Sequence, residues 1–441
     1  MIKPQINIDG AQVFLGDCRE VLEGFPDNSV DSIVTDPPYE LGFMGKGWDS
    51  SGIAYDVNLW MHCLRVLKPG GHILAFGGSR TWHRLAVAIE DAGFEIRDNI
   101  SWIYGSGFPK SLDVSKAIDK RAGAEREVVG QQSRQIGKGN WQVDDGGWQD
   151  SSKADENGVR TFDLTSPATS EAQQWEGWGT ALKPAHEPVV VGRKPLVGTV
   201  AENVLEWGVG GLNIDACRIA GSYPVVPAKA NSGRSNGLMG EPTAHPGTEP
   251  HAAGRWPANV ILDEHTAGLL DEQSGVSVSK RSLMGSMTVE GSHEGWKRKS
   301  HAGFTSERGF DDSGGASRFF YVAKASKRDR NEGLEELEAR VGGSMNGAEY
   351  REGKPTNHPV RENFHPTVKP TALMRYLIKL VTPPGGTVLD PFTGSGSTGK
   401  AALLDGFEFV GVELTEEYLP IIEGRLRWAS EQVGDGDVTL F

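Results

Sequence analysis

Apolar and polar positions along this chain follow two periods, and the places where one period gives way to the other mark its elements. Ala11 to Gly16 and Val30 to Thr35 are short apolar runs that read as strands, with a short helix from Cys18 to Phe25 between them. Tyr55 to Leu67 carries Leu59, Met61, Leu64 and Val66 at helical spacing and stops at Lys68-Pro69-Gly70-Gly71. His72 to Phe76 then reads as a strand, Arg84 to Ala92 as a helix, and Phe94 to Tyr104 as extended chain. The same alternation returns near the C-terminus. Ala372 to Val381 is an amphipathic helix ended by Pro383-Pro384-Gly385-Gly386; a strand (Thr387 to Leu389), a helix (Thr398 to Asp405), a strand (Phe409 to Val412) and a closing helix (Glu416 to Trp428) follow. Strands alternating with helices imply a mostly parallel sheet covered on both faces. Neither end has enough strands for such a sheet alone, so the expected fold is α/β with one Rossmann-like sheet assembled from both chain ends.

The middle has a different texture. Ser111 to Thr180 and Ala228 to Gly315 are rich in Gly, Ser, Gln and charge, with little periodicity. Ordered islands are expected at Glu187 to Arg193, Gly211 to Ile219, Trp256 to Leu262 and Phe319 to Lys324.

Composition narrows the class. At 441 residues with 37% hydrophobic content and 58 glycines, the chain suits a soluble protein of several domains with long irregular stretches. No apolar run approaches the roughly 18 to 20 residues of a membrane span, and Met1-Ile2-Lys3-Pro4 leads into polar sequence, so neither a membrane anchor nor a signal peptide is expected. Cys18, Cys63 and Cys217 form no Cys-x-x-Cys pair, which points to a reducing cytoplasm and to no metal site. A net charge of −14 argues against a nucleic-acid partner only weakly, because a local positive face decides that question. Between Lys280 and Arg330 basic residues outnumber acidic ones, with Lys297, Arg298 and Lys299 in a row. Such a run is either a solvated loop or a surface for a phosphate backbone.

Two motifs carry chemistry. The strand Val30 to Thr35 ends in Asp36-Pro37-Pro38-Tyr39. Paired prolines hold the backbone extended, since the ring locks φ and pushes the preceding residue away from helix. The Asp36 carboxylate and a main-chain carbonyl, that of Pro37, can then face one NH2 group together, and two acceptors make its lone pair more available. Tyr39 offers a flat face on which an extruded base can stack. The alternative is a plain Asp-Pro-Pro turn. The loop that follows, from Leu41 to Trp48, sets the cation Lys46 and the aromatic Trp48 among glycines, and reads as a cover over a nucleotide or as an ordinary surface loop.

The second motif follows Asp390: Pro391-Phe392-Thr393-Gly394-Ser395-Gly396, with a helix starting near Thr398. Glycines let the backbone approach a ligand, and the helix aims its positive end at the same place. Glu413 closes the next strand about seventeen residues beyond Gly396, where an acidic residue can accept both ribose hydroxyls of a nucleoside. Phe392 can lie against a sulfonium or an adenine. Gly394 to Lys400 also nearly spells a phosphate loop. Magnesium ligation there needs Ser or Thr at position 401, where Ala stands, and Glu413 comes too soon for a Walker B carboxylate.

With base grip first and cofactor loop last, the chain resembles the beta-ordered amino-methyltransferases of DNA, of N6-adenine/N4-cytosine type. Its layout through Asp36, Lys46 and Trp48 is similar to phage- or prophage-type modification methylases. Leu15-Gly16-Asp17-Cys18 resembles that family's strand-end motif, whose carboxylate holds the cofactor adenine. Arg65-Val66-Leu67-Lys68-Pro69-Gly70-Gly71 resembles the segment leading into its next central strand. His365-Pro366-Thr367-Val368-Lys369-Pro370 resembles the motif lining the methionine end of the cofactor, and Ala185-His186-Glu187-Pro188 the strand that closes the base pocket. The resemblance implies a methyltransferase with S-adenosyl-L-methionine held by Asp17, Thr367, Lys369, Asp390, Phe392, Gly394, Gly396, Thr398 and Glu413. It implies Asp36, Pro37, Pro38 and Tyr39 as the catalytic set and double-stranded DNA as the partner; the loop residues Lys46 and Trp48 and the basic run Lys297, Arg298 and Lys299 are the candidates for contact with it. Adenine N6 is the expected target, with cytosine N4 as the alternative. A homodimer and a cognate restriction endonuclease are both compatible with it. The implied division is a base-binding half at 1–110, an insertion at 111–182, a strand returning to the sheet at 183–196, a target-recognition region at 197–362 and a cofactor-binding half at 363–441. A DNA-binding scaffold without catalysis is the alternative from another class. The unbroken Asp36 to Tyr39 motif together with Glu413 argues against it.

Overall fold

The computed structural model describes residues 3–41, 47–105, 107, 111–135, 159–219, 254–279, 282–284, 306–308, 312–324, 328–341 and 360–434. The chain divides into two compact units, one of Met1–Asn213, Asn259–His265 and Ala323–Phe441, the other of Ile214–Ala258 and Thr266–Val322.

The first unit is built on a mixed sheet. Its strands are β1 (Ile6–Ile8), β2 (Ala11–Leu15), β3 (Val30–Thr35), β4 (Leu67–Phe76), β5 (Glu95–Ile103), β8 (His186–Arg193), β9 (Val260–Asp263), β10 (Thr387–Asp390) and β11 (Glu408–Glu413). They lie in the order β1-β2-β11-β10-β3-β4-β8-β5-β9. The run from β2 to β4 is parallel throughout, and β8 enters antiparallel between β4 and β5. The α/β sheet is thus assembled from both chain ends, with β10 paired to β3 at Val388↔Ser32 and Leu389↔Ile33.

All six residues of β3 are buried, because both faces of a central parallel strand are covered. Its polar members are each satisfied. Asp31 accepts from Lys68 Nζ at 2.5 Å and from the Thr387 amide at 2.8 Å, and Ser32 Oγ lies 2.7 Å from Thr382 Oγ1. Ile33, Ile73, Leu389 and Val412 turn into one core with helices α1 (Cys18–Glu23), α2 (Val57–Val66) and α3 (Trp82–Asp91), where Leu22, Leu59, Trp60 and Ile89 are fully enclosed. Each such side chain contributes roughly 1.5–3 kcal/mol on burial. Val34, Leu74 and Val388, one residue along each strand, are equally buried and point the other way. Helices α7 (Thr371–Val381), α8 (Ser397–Leu404) and α9 (Leu419–Gly434) pack in succession, with α7 against β3.

Two elements differ from the sequence reading. Strand β4 begins at Leu67 and not at His72, because Lys68-Pro69-Gly70-Gly71 forms a bulge inside the strand: Val30 pairs with Leu67, but Ser32 pairs with His72. Gly70 there has φ +79, and a Cβ on it would fall 2.3 Å from Asn203 Nδ2, which donates to Pro69 O at 2.8 Å. Within the weakly periodic stretch 111–182 lie α4 (Val114–Ala122), a hairpin of β6 (Val128–Gln135) and β7 (Val159–Thr165), and the short α5 (Ser170–Gln174). Val128, Val129 and Leu164 of the hairpin are exposed, so no buried face imposes an alternating pattern.

The second unit holds short antiparallel pairs, Ser277–Ser279 with Asp312–Gly314 and Ser282–Met284 with Ser306–Arg308. Arg255 and Arg318 both lie over the Phe319 ring, 4.4 Å from its centroid, and both bond Asp312; Arg318 also donates to the carbonyls of Gly314 and Gly315. This unit is narrower than the 197–362 region, since α6 (Val200–Trp207) and the chain from Ala323 onward belong to the first unit.

No helix among the described residues is long and apolar enough to cross a membrane. Lys400, the lysine of the near-phosphate loop, is fully buried on α8. Its ammonium donates to Asp329 Oδ1 (2.7 Å), Asp329 O (3.1 Å) and Glu332 Oε2 (2.9 Å), which uses all three N–H groups. No phosphate can claim it. Lys400→Ala would remove the cation shared by two mostly buried carboxylates, leaving Asp329 with Arg425 at 3.8 Å and Glu332 with Arg328 at 3.4 Å, and should lower the unfolding free energy by up to about 3–5 kcal/mol in guanidinium titration.

Candidate active site

From β3 the chain continues to β4 on one side; from β10 it continues to β11 on the other. Their C-terminal ends therefore flank a topological switch point, where open α/β sheets leave a crevice for ligands. A cleft of about 1410 Å³ opens there. That exceeds the roughly 300–1,000 Å³ of a common ligand pocket and is room for two flat ligands side by side. Asp36 to Tyr39, Glu187, Lys369, Phe392, Gly394 and Glu413 all line it.

At one end stands a buried charged cluster. Lys369 Nζ donates to Asp36 Oδ2 at 2.6 Å and to Tyr39 Oη at 3.1 Å, and lies 3.3 Å from Glu187 Oε2. The Tyr39 hydroxyl in turn donates to Glu187 Oε2 at 3.0 Å. The ammonium also sits over the rings of Phe76 and Tyr39, 4.9 and 5.3 Å from their centroids. Burial works against the charge on Lys369, but the carboxylates of Asp36 and Glu187 outweigh it and hold its pKa above the ordinary lysine value. Burial, reinforced by the same two carboxylates, pushes the Tyr39 phenol well above its usual range, so it stays neutral. Asp36 Oδ1 is buried and accepts no hydrogen bond from the described residues. The backbone that carries Tyr39 is pinned by Thr81 Oγ1, which donates to Tyr39 O at 2.9 Å.

At the other end the glycine loop is tied down by two carboxylates. Asp390 accepts from Thr35 Oγ1 (2.6 Å), the Phe392 amide (3.0 Å) and Thr398 Oγ1 (2.6 Å). It therefore joins β3, the loop and α8 at one point. Glu413 accepts from the Gly394 amide at 2.7 Å and the Thr415 amide at 2.8 Å. Burial raises both pKa values to about 6, against the lowering effect of these bonds. Gly394 (φ +54) and Gly396 (φ +73) are left-handed, as glycine allows. A Cβ on Gly394 would come 3.1 Å from His365 Nε2. His365 is neutral, since burial lowers its pKa to about 4, and its Nδ1–H donates to Thr367 O at 2.5 Å. Nε2 is then left without a proton beside the loop. Phe392 lines the cleft with its ring tilted against Trp60, centroids 6.3 Å apart.

The remaining expected residues are placed as follows. Asp17 caps α1, lines the cleft and is bound by Arg19, whose side-chain bonds lead the lowering of its pKa. Thr367 and Thr398 also line the cleft, the Thr398 hydroxyl donating to Asp390. Lys369 is expected beside the cofactor; its ammonium lies on Asp36 and Tyr39, with Glu187 Oε2 3.3 Å away. Glu187 was expected only as part of a pocket-closing strand and is a member of the cluster. No spacing signal links it to Asp36, since β8 reaches the sheet through a long excursion. Lys46, Lys297, Arg298 and Lys299 lie outside the described residues, as does the side chain of Trp48. Of the other basic residues between 280 and 330, Arg318 is engaged within the second unit, and Arg330 donates to the carbonyls of Asn363 and His365. Among the described residues no group of three or more His, Cys, Asp or Glu side chains could hold a metal.

The sequence profile of the DNA methylase family matches residues 30–130 and 284–424, which include the charged cluster except Glu187, and the whole glycine loop. The DNA adenine methyltransferase YhdJ of Escherichia coli K12 is 46% identical over 66 residues, 15% of this chain and 22% of that protein. The chain thus matches less than a quarter of that relative's length. Among solved structures, the M1.HpyAVI–SAM complex aligns at 15% identity over 94% of this chain and 98% of that one, with a TM-score of 0.36. The cytosine-N4-specific PvuII DNA methyltransferase aligns at 13% identity over 99% and 96%, with a TM-score of 0.41. Similarity this low carries no weight beside the family profile. That profile covers more than half of the chain and both ends of the cleft, and the chain belongs to the N6/N4 DNA methylase family.

Proposed function

We propose that this protein transfers a methyl group from S-adenosyl-L-methionine to the exocyclic amine of a base extruded from double-stranded DNA, with adenine N6 as the target. One observation carries the reading. The cleft holds a carboxylate, Asp36, with one oxygen fixed by Lys369 and the other without a donor among the described residues, and the same cleft holds the Gly394 loop anchored on Glu413. An unpartnered buried acceptor is costly, and an amine N–H is the group that would relieve it. Tyr39, kept neutral beside Asp36, offers its ring face to the base. The Asp-Pro-Pro-Tyr form of the motif and the local match to an adenine methyltransferase favour adenine over cytosine N4.

The cofactor site fits a nucleoside. Glu413 can accept ribose hydroxyls while still holding the loop, and Phe392 presents a face to an adenine or a cation. Gly394 keeps clear a space that a Cβ would fill. Bound there, the cofactor supplies an electrophilic methyl group on a sulfonium. The chain's own contribution is positioning and electrostatics. Asp36 and a main-chain carbonyl orient the amine, and the carboxylates favour the positive charge that appears on its nitrogen. No covalent intermediate is needed; Cys18, Cys63 and Cys217 are all buried.

Asp36→Ala should reduce methyl transfer by a factor of roughly 10³ or more while leaving cofactor binding largely intact. Single-molecule sequencing of genomic DNA from cells expressing either protein reads this directly. Modified adenine in one short motif, absent with the variant, supports the proposal; modified cytosine corrects the base; normal modification by the variant sinks the role of Asp36.

The pKa of Glu413 gives a second expectation. Above about pH 6 the carboxylate is ionised and accepts hydroxyls; below it, protonation removes acceptor capacity and charge. Cofactor affinity measured by calorimetry should weaken as pH falls through about 6, and Glu413→Gln should bind weakly with that dependence flattened. Folding stability responds to this group in the opposite sense. Its folded pKa lies above the ordinary 4.5, so its contribution is fully present below that value and is lost as pH rises through about 6.

A further inference from the structure

Lys369 is held from two sides. Asp36 hangs from the end of β3 and Glu187 from β8, and the ammonium lies between them, 2.6 Å from Asp36 Oδ2 and 3.3 Å from Glu187 Oε2. Tyr39 closes the ring of contacts by accepting from Lys369 and donating to Glu187. An ammonium has three N–H groups; here two are hydrogen-bonded to Asp36 and Tyr39, and Glu187 is an ion-pair partner at 3.3 Å. Lys369 therefore directs its charge into the cluster.

The supports of this arrangement are rigid. Gly77 donates to Pro188 O at 2.9 Å, and the β4–β8 ladder runs from Phe76↔Val189 onward, so the Glu187 backbone is set by the sheet. On its other side Glu187 pairs with Trp102 of β5. Lys369 directly precedes Pro370, which leads into α7, and its ammonium is stacked on Phe76 at the end of β4. Side-chain exposures of 8% for Lys369, 18% for Glu187 and 21% for Asp36 mean that these charges see little water, so their mutual distances have strong energetic effects. Without Lys369, Asp36 could turn about its side-chain torsions. With Lys369 present but Glu187 neutral, the ammonium loses the partner that draws it to its place.

We infer that Glu187 and Lys369 are positioning residues of the reaction: Glu187 fixes Lys369, and Lys369 fixes one oxygen of Asp36 so that the other is presented to the base amine. This rests on the methyl-transfer reading above and adds to it a pair that acts through Asp36 without touching the cofactor.

The test compares Glu187→Gln, Lys369→Met and the double variant with the parent protein. Glu187→Gln keeps the size and one acceptor, so it isolates the charge. Single-turnover methyl transfer from labelled S-adenosyl-L-methionine to unmethylated genomic DNA gives the rate, and calorimetry gives cofactor affinity separately. Each single variant should lose on the order of 10²-fold in rate, as an acceptor misplaced by about 1 Å would, with cofactor affinity within about threefold of the parent. The double variant should be no slower than Lys369→Met, because Glu187 acts only through Lys369. Unfolding midpoints of the four proteins should be non-additive in the same way, which reads the contact without activity. Unchanged single-turnover rates overturn the inference. So do multiplicative losses in the double variant, or a collapse of cofactor affinity in Lys369→Met with the rate at saturation intact. If the parent protein itself transfers no methyl group, the functional reading falls; the unfolding cycle then still decides whether Glu187 holds Lys369.

Discussion

The pairing of β3 with β10 is the contact on which the rest depends. Thr35 and Asp390, 355 residues apart, share a 2.6 Å hydrogen bond at the shared C-terminal end of these two strands. Asp36 is the next residue after one strand, and the glycine loop follows directly after the other. Bringing such distant segments together sounds expensive, yet loop-closure entropy grows only with the logarithm of length, about 0.6 kcal/mol for each doubling. A long middle region therefore costs the sheet little in stability. Its larger effect is on folding speed, since nonlocal strand pairing must be found before it is rewarded.

Around that pairing the unit concentrates buried charge and disposes of each charge differently. Asp31 and Lys400 are structural, satisfied by partners that have no access to the cleft. Asp390 lines the cleft but spends its acceptors on holding β3, the loop and α8 together. Asp36 and Glu413 line it too; among the described residues the first has an oxygen without a donor, and the second holds the loop through the Gly394 amide. Buried charges are weak evidence for stability. Their placement is better explained by the need to order a flat substrate and a cationic donor in one crevice.

The fold was legible where the physics is local. β3 and β10 are short apolar runs followed by residues with strong backbone preferences, Pro37-Pro38 after one and the glycine loop after the other, so strand ends and motifs could be read together. The start of β4 was misread because Lys68-Pro69-Gly70-Gly71 has the composition of a stop, and only its packing against Asn203 turns it into a bulge. The β6–β7 hairpin was invisible because its faces are exposed and leave no alternating trace. Asp36, Tyr39, Gly394 and Glu413, which line one cleft, stand out along the chain because each belongs to a contiguous motif. Glu187 does not stand out, because what sets it apart is its contact with Lys369, and no pattern along the chain encodes that contact.

The near-phosphate loop shows the same limit from the other side. Gly394 to Lys400 shares its sequence grammar with loops that cradle phosphates, because both need glycines at left-handed positions and a helix start behind them. What separates the two uses is where the lysine goes. In a phosphate site its charge must face the ligand; here it is drawn into the protein by Asp329 and Glu332, on a segment some seventy residues upstream. That segment is itself locked in place, since a Cβ on Gly333 (φ +84) would come 2.6 Å from Gly424 O on α9. With the cation turned away, what the loop presents to the cleft is main chain backed by Glu413. A negative group at that point would repel a polyphosphate and attract hydroxyls and positive charge. The ligand class therefore follows from the side chain on the next strand and from the burial of Lys400, while the glycines that first draw the eye are common to both.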